Sequence, residues 1–185
     1  MKRCLLLGSV FVGFAVDADA TPTQQSDAFI QGNIVENCIF DDVSGDGADG
    51  VNISQTETGL SVNFNTIVDP ETAELVPFGL IISLNMTCNF AHTVRVRSAS
   101  GGLQASDPSN SDSFTDRADY TVEAQWAGQS AGFSTSGTPG EGAGLQIGGL
   151  NAGRFDLEIG SAASSLPLVA GDYTDTLIIE IAGTP

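Results

Sequence analysis

Lysine, histidine and long apolar runs are scarce in this sequence, and each scarcity excludes a class of function. Lys2 is the only lysine among 185 residues, and six cations in all stand against 23 acidic residues, for a net charge of −17 at pH 7. Binding a phosphate backbone needs clustered Lys and Arg, so a nucleic-acid partner is excluded. The acidic surplus is read as a solvated coat in preference to an acidic recognition surface. His92 is the single histidine, and no Gly-x-Ser-x-Gly elbow occurs, so a serine hydrolase would lack its base. The carboxylates are spread through turn-rich stretches, where solvation explains them without glycoside chemistry. Gly140-Glu141-Gly142-Ala143-Gly144 has no lysine and opens no helix, so it is no phosphate cradle. No enzyme, cofactor or metal is expected.

The apolar run from Leu5 to Val16 would reach only about 18 Å as a helix, short of a bilayer of about 30 Å. Lys2 and Arg3 precede it and Ala18-Asp19-Ala20 follows it, the arrangement of a secretory leader with cleavage after Ala20. Residues 1–20 are therefore expected to be a signal peptide, and the rest an exported domain that is not embedded in a membrane. Removing the leader takes two residues of each sign, so the charge is unchanged. Its loss also removes Cys4 and leaves two cysteines, Cys38 and Cys88. The choice between them is one disulfide or two free thiols, and the oxidising compartment favours the disulfide.

What remains reads as strand. Side chains alternate faces along an extended chain, so Leu60-Ser61-Val62-Asn63-Phe64, Leu80 to Cys88, Thr93 to Arg97, Tyr120 to Trp126 and Arg154 to Ile159 each offer an apolar strip. Two more alternating segments frame the chain. Ala28, Ile30 and Ile34 share a face just after the leader, and Leu177, Ile179 and Ile181 share one on a closing strand from Tyr173 to Ile181. Turn-rich stretches are expected over 41–50, 98–116 and 128–144. No window has a helical period, and the pattern indicates one all-β sandwich. His92 is read as a surface or strand-end residue, and Trp126 and Tyr120 as core. The stretch Asp41 to Gly50 lacks the spacing of a calcium loop and is read as a flexible acidic turn.

The order of these features resembles the spore coat U domain family, which includes the pilins of archaic chaperone-usher pili. Carrying the resemblance are Cys38, Val62-Asn63-Phe64 before Val68-Asp69-Pro70, Met86-Thr87-Cys88, and above all Ala170-Gly171-Asp172-Tyr173-Thr174-Asp175-Thr176-Leu177. That last segment matches a closing motif of Gly-x-Tyr-x-Asp-Thr followed by an alternating strand. The resemblance implies an immunoglobulin-like β-sandwich that is incomplete and is completed by a donor strand from the neighbouring subunit. It implies a periodic fibre of like or unlike subunits, delivered by a periplasmic chaperone to an outer-membrane usher and displayed at the cell surface. In those terms residues 21–37 are the donor segment and 38–185 the pilin-like domain. Ala28, Ile30, Gly32 and Ile34 take the donor positions; Tyr173, Leu177, Ile179 and Ile181 form the acceptor strand; Cys38 and Cys88 join the first strand to the second. Gly32 stands where the family carries a larger apolar residue, and Ala182-Gly183-Thr184-Pro185 extends beyond the closing strand. A self-complemented secreted coat or binding protein, with the N-terminal strand used in cis, is the alternative.

Overall fold

The computed structural model describes residues 31–47, 51–56, 59–64, 67–108 and 112–184. The expected leader and the donor positions Ala28 and Ile30 lie outside the described residues. The chain divides into two units, Met1–Ile34 and Val35–Pro185. In the first, Gln31 to Ile34 are described; they have no regular structure and are exposed.

The second unit is built from strands alone among the described residues. They are β1 (Cys38–Gly47), β2 (Val51–Thr56), β3 (Gly59–Phe64), β4 (Gly79–Cys88), β5 (His92–Ser98), β6 (Leu103–Ala105), β7 (Arg117–Ala118), β8 (Thr121–Trp126), β9 (Gln129–Ser134), β10 (Gly142–Ile147), β11 (Asn151–Gly160), β12 (Tyr173–Thr174) and β13 (Leu177–Gly183). A five-stranded sheet in the order β1-β4-β11-β8-β9 faces a three-stranded sheet β10-β5-β13. Every strand pair is antiparallel. Strands that switch repeatedly between two facing antiparallel sheets make this an immunoglobulin-like sandwich, the fold class read from the alternation.

The alternation places the core. On β4 the even-numbered residues Leu80, Ile82, Leu84, Met86 and Cys88 point inward, and on β8 Val122, Ala124 and Trp126 do so. Val94 and Val96 of β5 meet them from the other sheet in one apolar cluster that also holds Phe155 and Leu157. Two smaller pieces flank it. The sheet β12-β6-β7 closes over a second cluster of Leu75, Ala118 and Leu168, and the β2–β3 hairpin forms a two-stranded sheet of its own.

Several expectations change. The acidic turn over 41–50 is largely strand: Asp41 to Gly47 belong to β1 and pair with β4, with a bulge at Asp42, whose φ is 43°. The 98–116 stretch contains β6, and 128–144 contains β9 and the start of β10. The closing strand is broken. Tyr173 and Thr174 pair with β6, and only from Leu177 does the chain pair with β5. His92 begins β5 but is no surface residue, because it is fully buried. Its Nδ1 lies 2.8 Å from the Phe90 carbonyl oxygen and its Nε2 accepts from Trp126 Nε1 at 3.1 Å. Since Nε2 accepts, the ring carries its proton on Nδ1 and donates it to Phe90. Both nitrogens of the chain's single imidazole are thus engaged inside the core.

Candidate functional site

The two sides of the sandwich differ. On one side β9 lies beside β10, and Gln129 Nε2 donates to the Gln146 carbonyl oxygen at 2.7 Å, so the sheets close against each other. The opposite side is bordered by β1 and β13, each the last strand of its sheet. Among the described residues no strand pairs with the outer edge of β13, which leaves a row of backbone groups without a ladder partner.

Burial shows that this side is open. Leu177, Ile179 and Ile181 pair with Ser98, Val96 and Val94, so all six side chains face the interior. The β5 partners are fully buried, yet the three β13 residues are only half-buried, although they pack on the main cluster. The facing margin repeats the contrast. Phe40 of β1 lies opposite Met86 on the inner face, but Met86 is 1% exposed and Phe40 46%. Among the described residues, nothing covers this ring as the facing sheet covers Met86. The Asp42 bulge keeps Phe40 and Val43 on the same inner face, and beyond them that face carries Gly45 and Gly47 in register with Ile82 and Leu80. β1 thus presents no side chain to the interior at these two positions, and Ile53 Cδ1 fills the space beside Gly45.

Asp175 sets where the open edge begins. Its carboxylate accepts hydrogen bonds from Ser98 Oγ and Tyr120 Oη, both at 2.6 Å, and from the N–H groups of Ser100 (3.0 Å), Gly102 (3.2 Å) and Thr176 (2.6 Å). Burial pushes the carboxyl pKa up, but these donors outweigh it and hold the group below the usual carboxylate range. Burial and the neighbouring carboxylate push the Tyr120 phenol the other way, well above its ordinary value. The network ties the start of β13 to the end of β5 and the start of β8. This gives a physical reason for an acidic residue inside an alternating apolar segment. Tyr173 does not line the groove: on β12 it donates to the carbonyl oxygen of Val169 at 2.9 Å and packs on the second cluster.

The entry to the first strand is fixed at the far end of β13. Asn89 Nδ2 donates to the Val35 carbonyl oxygen at 2.9 Å, and Asn89 Oδ1 accepts from Asn37 N–H at 2.7 Å. Cys38 then pairs with Cys88 directly across β1 and β4, and the two form a disulfide. Thr184 N–H donates to the Ala91 carbonyl oxygen at 3.0 Å, which brings the end of β13 to the same corner. Ahead of this corner Ile34 and Val35 are 87% and 71% exposed, unusually open for their type. On the outer face of β13, Glu180 pairs with Arg97 at 2.9 Å; both are solvated and the pair is worth little to stability.

Of the site residues expected from sequence, the structure brings Leu177, Ile179 and Ile181 together on one open edge and Cys38 and Cys88 into one bond. It separates Tyr173 from them. Gly32 and Ile34 are exposed. Phe40, Gly45 and the Ser98–Tyr120–Asp175 network were not anticipated as parts of the site.

No protein-family profile and no curated protein sequence matches this chain. Among solved structures it is similar to the crystal structure of the P pilus rod subunit PapA, at 17% identity and a TM-score of 0.30, over 72% of this chain and 98% of that one.

Proposed function

We propose that this chain is a subunit of a surface fibre polymerised by strand donation, in which residues 28–34 of one copy lie along β13 of the next. The observation that carries this reading is the half-burial of Leu177, Ile179 and Ile181 beside fully buried β5 partners, on an edge with no ladder neighbour among the described residues. An added strand satisfies such an edge with backbone hydrogen bonds, and its alternate side chains fill the groove. Ala28, Ile30, Gly32 and Ile34 supply that alternation, with Gly32 contributing no side chain of its own. Before assembly the same groove is an aggregation hazard, which a periplasmic chaperone covers until an outer-membrane usher exchanges it for a neighbour. The protein's work is then structural, in adhesion or biofilm formation.

Deleting residues 21–34 while keeping Cys38 tests this directly. The truncated protein should remain monomeric or chaperone-bound under conditions in which the full exported chain forms fibres visible by electron microscopy. Fibres formed normally by the truncated protein would refute the proposal. A full-length protein that stays monomeric with residues 28–34 protected from hydrogen exchange would replace it with the self-complemented form.

A further inference from the structure

The five-stranded sheet is wider than the three-stranded sheet that faces it, and the β2–β3 hairpin is packed against the uncovered core. Among the described residues β2 pairs only with β3, so no ladder joins the hairpin to the two sheets of the sandwich. Its two faces differ. Val51 and Ile53 lie opposite Phe64 and Val62, and these four pack on the main apolar cluster; Asn52 and Ser54 lie opposite Asn63 and Ser61 on the other face. All four apolar residues are only half-buried.

Ile53 reaches a particular place. Gly45 is on the inner face of β1, in register with buried Ile82, and a Cβ added there would overlap Ile53 Cδ1. The isoleucine therefore fills the gap that the glycine leaves in the groove floor. On the strand-donation reading, an inward side chain of the donated strand would compete for that volume.

We infer that the β2–β3 hairpin is a built-in plug, with Ile53 seated over Gly45 in the unassembled subunit and displaced when the N-terminal segment of a second copy enters the groove. This rests on the strand-donation reading above and adds a competitor supplied by the acceptor itself. The hairpin suits the role because, among the described residues, leaving the groove breaks no ladder hydrogen bonds, while Phe64, whose ring lies 4.7 Å from that of Phe78, keeps one end attached. Shallow burial makes the displacement inexpensive, and covering apolar surface until a better-fitting strand arrives lowers the risk of non-specific association.

The test uses the exported full chain and a fluorescent peptide with the sequence of residues 21–36, with uptake followed by anisotropy. Wild-type protein should take up the peptide slowly. Ile53→Ala should take it up roughly three- to tenfold faster, as expected when the barrier no longer includes withdrawal of one half-buried isoleucine. In wild-type protein, hydrogen exchange over residues 51–56 should accelerate once the peptide is bound. Uptake by Ile53→Ala at the wild-type rate or slower, or unchanged protection of 51–56 after binding, overturns the plug and leaves strand donation standing. If wild-type protein takes up no peptide at all, strand donation itself fails and the plug falls with it. Should Ile53→Ala not fold, the wild-type exchange measurement decides alone.

Discussion

Replacing Asp175 by Asn removes one charge and one acceptor from the group that anchors the open edge. Asp175 Oδ2 accepts from Ser98, Tyr120 and Gly102, and Oδ1 from Ser100 and Thr176. An amide has a single acceptor oxygen. If that oxygen serves Ser98, Tyr120 and Gly102, the new NH2 faces two backbone N–H groups; if it turns round, the NH2 faces two hydroxyls and the Gly102 N–H. One set is left unsatisfied in either case, and hydrogen bonds to a charged group contribute about 1.5–3 kcal/mol each before rearrangement. Allowing for hydroxyls that rotate, the expected loss is about 2–4 kcal/mol, read as a lower urea midpoint at unchanged slope. The pH dependence carries a second signature. The folded carboxyl pKa is lowered, so its contribution is present above the unfolded value near 4 and is lost as pH falls through the folded value. Asp175→Asn should therefore narrow its deficit against wild type in acid. A deficit below about 1 kcal/mol at pH 7, or one that stays constant down to pH 2, would refute the assignment of this network as the anchor.

Changing Cys38 and Cys88 together to serine should destabilise the folded domain by about 2–5 kcal/mol in urea titrations, with less soluble protein recovered; equal midpoints would contradict a structural bond. His92→Phe leaves Trp126 Nε1–H buried without its acceptor, so a loss of about 1–3 kcal/mol is expected together with a changed tryptophan emission spectrum. Stability equal to wild type would mean that the indole finds another partner. Above pH 10 the raised Tyr120 pKa has the opposite sign to that of Asp175: its contribution is intact below the unfolded value and disappears as pH rises through the folded one. Alkaline unfolding should accordingly shift in Tyr120→Phe, measured by circular dichroism.

The strands that could be read from the sequence are those whose inner face is apolar throughout. β4, β5, β8 and β11 are central or well covered, and their alternation survives intact. β1 was missed because an edge strand can carry glycine inward and aspartate outward: in Asp41-Asp42-Val43-Ser44-Gly45-Asp46-Gly47 only Val43 marks the inner face. β9 and β10, the edges on the closed side, hide behind Gly and Ser in the same way. At the site, Leu177, Ile179 and Ile181 were legible as a face, because period two requires it. Their openness came from the family resemblance and not from the alternation, since exposure depends on what lies beside the strand and not on its own period. Nor was the break at Asp175, where hydrogen bonds to Ser98 and Tyr120, distant in sequence, override the local pattern.

The disulfide also determines how the domain meets a pull on its N-terminal side. Strands joined by a ladder can be peeled one hydrogen bond at a time when pulled from an end, and β1 is an edge strand whose end receives any tension arriving from residues ahead of it. Cys38 is the first residue of that strand, and its bond to Cys88 passes the tension covalently to β4, which is flanked on both sides by other strands. Unzipping from this end is thereby blocked at its first step, and the pull passes to β4, which is held by β1 on one side and β11 on the other.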